Sequence, residues 1–453
     1  MGSNAGDRQK KRQIWRFTTE RIRRVPMKLE REGIQIIPES EQKTGLWDMA
    51  FVWFCANVAV PRLLMGGSMA GLGFARAAAM LLWGNVLVIL PLLALGVIGY
   101  KVRIPTMAAA RMTFGIKGSY VPAIANAVQL IGWGASVTVV CGSSIDAVVS
   151  AMTGYSNITL WIILTGIVQL LITAYGFRSI TWLQRVSVPL LALLSIYAAY
   201  LMIKNYGWSN LTAFRPESPM PIMLGIDVLA ANAFAWGPMV CDYTRYAKNK
   251  SSSSVGTLIG SLAGAAGFMF VGMISSIVTG DPNPSSMLVS LGLGVPALLI
   301  IILSSVTTNV MNLYSSAISF VNVFPKIEPW KIIVGGGVAI TGVAVIPNLI
   351  GHFIQFLTIV GSIFVPLIAI LLVDYFLLKK QQVDAEQLLV DNASSSYWYK
   401  NGFNIRAIVI WLVGVAIFNI LPHVAPTIGA TVPTFLLIAV VYFAVEKLSP
   451  RKA

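Results

Sequence analysis

Apolar residues fill the chain in windows of about 20, the length that carries a helix across a bilayer, and polar residues gather between them. The windows fall near 47–69, 80–100, 120–150, 157–176, 180–203, 222–246, 255–279, 293–323, 330–350, 352–378, 404–421 and 425–446, which predicts twelve membrane spans. Two spans are interrupted: the first by Pro61 and the pair Gly66-Gly67, the sixth by Trp236-Gly237-Pro238. Proline removes a backbone donor and clashes with the carbonyl four residues back, so both helices are predicted to break near their middle. A break at membrane depth leaves backbone groups unpaired unless a ligand, an ion or water meets them. Each break is therefore a candidate binding site.

The positions of the breaks organise the rest. A polar, Pro- and Ser-rich connection at 204–221 separates five spans over 47–203 from five over 222–378, and each half opens with an interrupted span. That is the pattern of an inverted-repeat transporter with its site near the bilayer midplane. Residues 1–46 form a basic tail, 379–403 a polar inner loop, 404–446 two additional helices and 447–453 a short C-terminus. The tail interleaves Arg21, Arg23, Arg24, Lys28 and Arg31 with Ile22, Val25 and Leu29, which suits either a short helix on the membrane surface or a disordered segment.

Composition agrees with the span count: 56% of the 453 residues are hydrophobic and 11% charged, outside the range of a water-soluble domain. The net charge of +15 is explained by topology. With both termini cytoplasmic, the tail holds 11 of the 33 Lys and Arg residues, inner loops and C-terminus hold 18, and outer loops hold only Arg76, Lys204 and Arg215. No nucleic-acid partner is needed. The expected location is the plasma (inner) membrane, and the first apolar segment starts too late for a cleaved signal peptide. Cys55, Cys141 and Cys241 all fall in spans without metal-ligand spacing. With no nucleophile–base pair, metal cluster or phosphate loop, and His352 and His423 alone near the outer face, the sequence does not read as an enzyme.

Polar residues inside spans name the candidate site. Asn57 lies one turn before Pro61, and Arg62 follows it; a buried arginine normally faces a partner or a wet cavity, and Asp146 and Asp227 are the candidate partners. Asn126, Gln129 and Trp133 share one face of the third span. An amide and an indole on one face supply a stacking surface and edge contacts for a flat polar heterocycle. The eighth span places Ser304, Ser305, Thr307, Thr308, Asn309 and Asn312 within nine residues. Its hydroxyls can offer oxygens to a hard cation, or bond their own helix carbonyls. Gly260, Gly264 and Gly267 mark a close-packing face in the seventh span. Asp242 and Arg245 at the inner end of the sixth read as structural anchors, and 176–179 as a tight hairpin.

The chain resembles the nucleobase–cation symporters, the group of cytosine permeases, purine–cytosine permeases and hydantoin transporters, and looks closest to the purine–cytosine branch. The markers are Arg31-Glu32-Gly33-Ile34, Trp53-Phe54 with Ala56-Asn57, the inner-loop run from Ala110-Arg111 to Gly118-Ser119, Gly132-Trp133, Asp242-Tyr243-Thr244-Arg245-Tyr246, and Thr307-Thr308-Asn309 with Leu313-Tyr314. The resemblance implies an all-α fold: a LeuT-like five-plus-five inverted repeat with two extra C-terminal helices. It implies that Trp133 stacks on the substrate while Gln129 and Asn309 pair its edge; Asn57, beside the first break, and Asn312, in the polar run of the eighth span, are further candidates for the edge. It also implies a sodium site from backbone carbonyls at Cys55 and Val58, hydroxyls of Thr307 and Thr308, and the backbone of Ser304. The sixth-span aromatic is left open between Phe234 and Trp236, and Pro61-Arg62 departs from the family pattern.

The expected function is uptake of a nucleobase or related heterocycle by cation symport and alternating access, with no bound cofactor. Sodium and proton coupling both stay open, as do an amino-acid carrier of the same fold and a base sensor. The sequence gives no oligomeric state.

Overall fold

The computed structural model describes residues 33–174, 177–280, 294–346 and 349–448. The tail patch around Arg21–Arg31, the first two residues of the Arg31 marker and the turn at 175–176 lie outside them. Helices occupy all twelve expected positions: α1 (Leu46–Asn57) with α2 (Val60–Met69), α3 (Phe74–Val102), α4 (Tyr120–Thr153), α5 (Ile158–Thr173), α6 (Phe177–Tyr206), α7 (Ile222–Trp236) with α8 (Val240–Thr244), α9 (Thr257–Thr279), α10 (Gly294–Val323), α11 (Pro329–Ala344), α12 (Phe353–Leu372), α13 (Ile405–Val424) and α14 (Thr431–Leu448). Among the described residues eight helices are long and apolar enough to cross a membrane, and the bent pair α1–α2 makes a ninth. The shorter α5 and α11, and α10, fill the remaining three positions.

The two halves make the same contacts under exchange. Helices α1 and α2 pack on α9, as α7 and α8 pack on α3; α1 packs on α6, as α7 packs on α12. Likewise α4 packs on α5 and α10 on α11, while α4 and α10 pack on one another. Five crossings per half place the start of the second half on the opposite face. The exchange axis therefore lies in the membrane plane, as an inverted repeat requires.

The two interruptions differ in severity. At the first, Val58 and Ala59 leave the helical region, Ala59 at φ −133° and ψ 147°, and the axis bends by 74°. At the second, a 3-10 turn over Gly237–Met239 interrupts the helix, and Ile222–Thr244 continues as one apolar span. The small residues of α9 have the expected use in part. A side chain at Gly260 would meet the Ala50 carbonyl at 2.1 Å, whereas Gly267 faces nothing within 4 Å. Backbone contact between α1 and α9 at Gly260 is thus what the missing side chain permits.

Buried polar residues tie the inner side together. Arg111 donates to Oδ1 and the carbonyl of Asn322, each at 2.8 Å, and to Leu388 O at 2.9 Å. Asp374 accepts from Thr113, Lys379 and Tyr442, linking the inner connection to α14. Asp242 accepts from the Thr106 amide, and Arg245 reaches the Gly33 carbonyl and the Tyr314 hydroxyl. These are anchoring contacts.

Candidate functional site

Where α1 stops, its last carbonyls lose their donors. Pro61 has no N–H for Asn57, and the Arg62 amide turns to Ala59 O at 2.8 Å rather than to Val58 O. The Thr308 hydroxyl of α10 meets this gap, 3.1 Å from Cys55 O and 3.5 Å from Val58 O. Three oxygens from two helices thus converge, a donor set suited to a hard cation. The neighbouring groups are used locally: Thr307 donates to Leu303 O and Ser304 O, and Ser304 donates to Ile301 O. Their backbone and hydroxyl oxygens keep acceptor capacity, but Thr308 is the hydroxyl that bridges to α1.

Beside this gap a partly open pocket lies between Ala56, Ala59, Pro61 and Arg62 of the first break, Leu130 and Trp133 of α4, Asn232, Ala235, Trp236 and Met239 of the second, and Thr308 and Asn312 of α10. Trp133 is held by an edge contact with Phe356 at 5.8 Å, and Trp236 by one with Trp53 at 5.8 Å.

The expected residues separate into those that line the pocket and those that support it. Trp133, Trp236 and Asn312 line it. Phe234 does not: its ring turns to Phe435 of α14, 5.6 Å away. Successive helical residues differ by about 100° in direction, so Phe234 and Trp236 could not share a face. Gln129 spends its amide nitrogen on Ala235 O at 3.1 Å and Asn126 Oδ1, and Asn126 donates to Pro238 O and Ser319. The amides of α4 therefore satisfy carbonyls freed at the second break. The Gln129 Oε1 atom is buried with no hydrogen-bond partner among the described residues.

Asn309 also points away from the pocket. Its amide nitrogen lies 2.8 Å from each of Gly134 O, Thr138 Oγ1 and Gln169 Oε1, and its oxygen accepts from Asn312 at 3.1 Å. It holds the side chain of Asn312, which is one turn further along and lines the pocket. Asn57 donates to Trp53 O at 2.7 Å and accepts from Arg62, so it closes the end of α1. Neither expected partner reaches Arg62. Asp146 accepts from Ser156 and the Asn157 amide, capping the turn into α5, and Asp227 accepts from the Ala430 and Thr431 amides at the start of α14. Unpaired amides at helix starts are strong competitors for a carboxylate.

Sequence reasoning missed Asn232 and Met239. Asn232 lies four residues before Trp236 on α7, a spacing that puts both on one face and that could have found it. Met239 belongs to the irregular turn, where no periodicity applies.

Comparison with known proteins gives consistent matches along the chain. The family model described as "Permease for cytosine/purines, uracil, thiamine, allantoin" matches residues 36–446. The chain is similar to the hydantoin permease of Microbacterium maritypicum, 24% identical over 409 residues that cover 84% of this chain and 83% of that protein. It is also similar to the cytosine permease of Escherichia coli K12, 24% identical over 393 residues covering 86% and 89%. Among solved structures it resembles Mhp1, a nucleobase-cation-symport-1 family transporter, in a closed conformation with bromovinylhydantoin bound. The TM-score is 0.82 at 20% identity, covering 94% of this chain and 97% of that one.

Proposed function

The chain belongs to the family of permeases for cytosine/purines, uracil, thiamine and allantoin, and from that premise we propose that it imports a nucleobase or related heterocycle together with a cation. It is a multi-pass membrane transporter, not an enzyme. The heterocycle lies between the indoles of Trp133 and Trp236, with Asn312 and the backbone of the breaks reading its edge. Asn309, Gln129 and Asn57 hold those groups in position. The cation sits between α1 and α10 against Cys55 O, Val58 O and Thr308, with Ser304 and Thr307 beside it; sodium fits these neutral oxygens. Ion binding fixes the end of α1, which is also a wall of the pocket, so ion and base strengthen each other's binding reciprocally. The proposed location is the plasma membrane with both termini inside, on the distribution of Lys and Arg.

The observation that supports this reading best is that Thr308 both lines the pocket and bridges to the carbonyls at the first break. The test is uptake of labelled bases and amino acids into proteoliposomes under a sodium gradient, then a proton gradient. Base accumulation under one gradient is expected, and Trp133→Ala should abolish it while the protein stays folded. Amino-acid uptake without base uptake would point to the other substrate class, and base binding without flux to a sensor.

A further inference from the structure

Arg62 follows the proline that separates α1 from α2, lines the pocket and is 2% exposed. One of its nitrogens donates to Asn57 Oδ1, while Nη1 is buried with no partner among the described residues. Among the described residues no Asp or Glu lines the pocket, and the carboxylates of Asp146 and Asp227 are engaged elsewhere. A guanidinium stays charged in a protein, and a charge buried with only a neutral amide for company is strongly unfavourable. Its helix is closely held: at Gly66 a Cβ would fall 2.0 Å from Met269 O, so α2 lies directly on the backbone of α9. The first turn of α2 adds the positive end of a ten-residue helix to the same spot. What enters the pocket, water or a ligand, must therefore meet Nη1, and only a ligand can bring a counter-charge.

We propose that the transported heterocycle is an anion, a flat ring bearing a carboxylate or a ring imide ionised at neutral pH, whose negative charge pairs with Arg62. The proposal rests on the pocket being the heterocycle site. It also gives the two ligands a second reason to need each other. With the pocket empty, a cation arriving beside Thr308 approaches a bare guanidinium; with the anion in place that repulsion is neutralised.

The experiment is competition for uptake and binding in the purified, reconstituted full chain. Uracil-6-carboxylate is set against uracil for the carboxylate arm, and urate against hypoxanthine for the ring-ionised arm. One anion should bind roughly tenfold to a hundredfold more tightly than its neutral partner, the range of a hydrogen bond to a charged group. The arm that shows this names the source of the charge. In Arg62→Gln the preference should collapse or reverse, while Arg62→Lys should keep its direction. A purely structural arginine would instead lower all four affinities alike. Neutral bases binding as well as or better than the anions in the unaltered protein would overturn the proposal, with no variant needed, and leave heterocycle transport standing. Absence of uptake or binding for every heterocycle would remove the wider reading along with it.

Discussion

Replacing Thr308 by valine keeps the shape of the side chain and removes one oxygen, which isolates the cation's share of binding. In the ion-free state the hydroxyl makes a neutral hydrogen bond to Cys55 O at 3.1 Å, so its loss costs about 1 kcal/mol of local stability. With an ion present the same oxygen becomes a ligand to a charge, an interaction of about 1.5–3 kcal/mol, equivalent to about 10- to 150-fold in ion affinity. Reciprocity carries that loss to the base, but only where ion occupancy limits it. Binding of a labelled base should therefore be measured with sodium absent, intermediate and saturating, choline replacing it. Thr308→Val should match the parent without sodium, fall well below it at intermediate sodium and recover at saturation. An equal loss with and without sodium would refute the cation role of Thr308 and assign it to the substrate or to the fold.

Three further outcomes follow from the contacts. Trp236→Ala should weaken base binding by an order of magnitude or more, as loss of a stacking face does, whereas Phe234→Leu should show in thermal unfolding more than in affinity, because its ring packs on Phe435; the reverse ranking in a binding assay would exchange their roles. Gly260→Ala should lower the unfolding midpoint, since the new methyl meets Ala50 O at 2.1 Å and overpacking costs about 1–3 kcal/mol; Gly267→Ala, facing open space, should be neutral, and similar midpoints for the two would contradict the α1–α9 packing. Arg111→Lys should destabilise the inner face, because an ammonium cannot reproduce the paired bonds to Asn322 and the bond to Leu388. Limited proteolysis of the 379–400 loop reads this out, and unchanged protection would show that the fork is dispensable.

The positions of the helices and breaks were legible in the sequence because their causes are local. Hydropathy over about 20 residues sets a span, and Pro61 denies a donor to Asn57 whatever surrounds it. The polar cluster from Ser304 to Asn312 was visible for the same reason. Direction was not local. Gln129 and Asn309 belong to the site's frame because other acceptors, the Ala235 carbonyl for one and Gly134 O, Thr138 Oγ1 and Gln169 Oε1 for the other, lie within hydrogen-bond reach of their amides, which depends on how α4 meets α7 and α10. Phe234 and Trp236 carry equal promise in sequence, and only the seating of α14 against α7 sends one to Phe435 and leaves the other in the pocket. The fate of Arg62 was the least predictable. Asp146 and Asp227 are of the right charge at plausible depth, but the amides starting α5 and α14 reach them first. The sequence by itself determined where the chain crosses the membrane and where it must break, since both follow from composition and backbone chemistry. Only the tertiary structure decided which polar groups are consumed by the breaks and which, Arg62 above all, are left for a ligand, because that depends on partners brought together from distant parts of the chain.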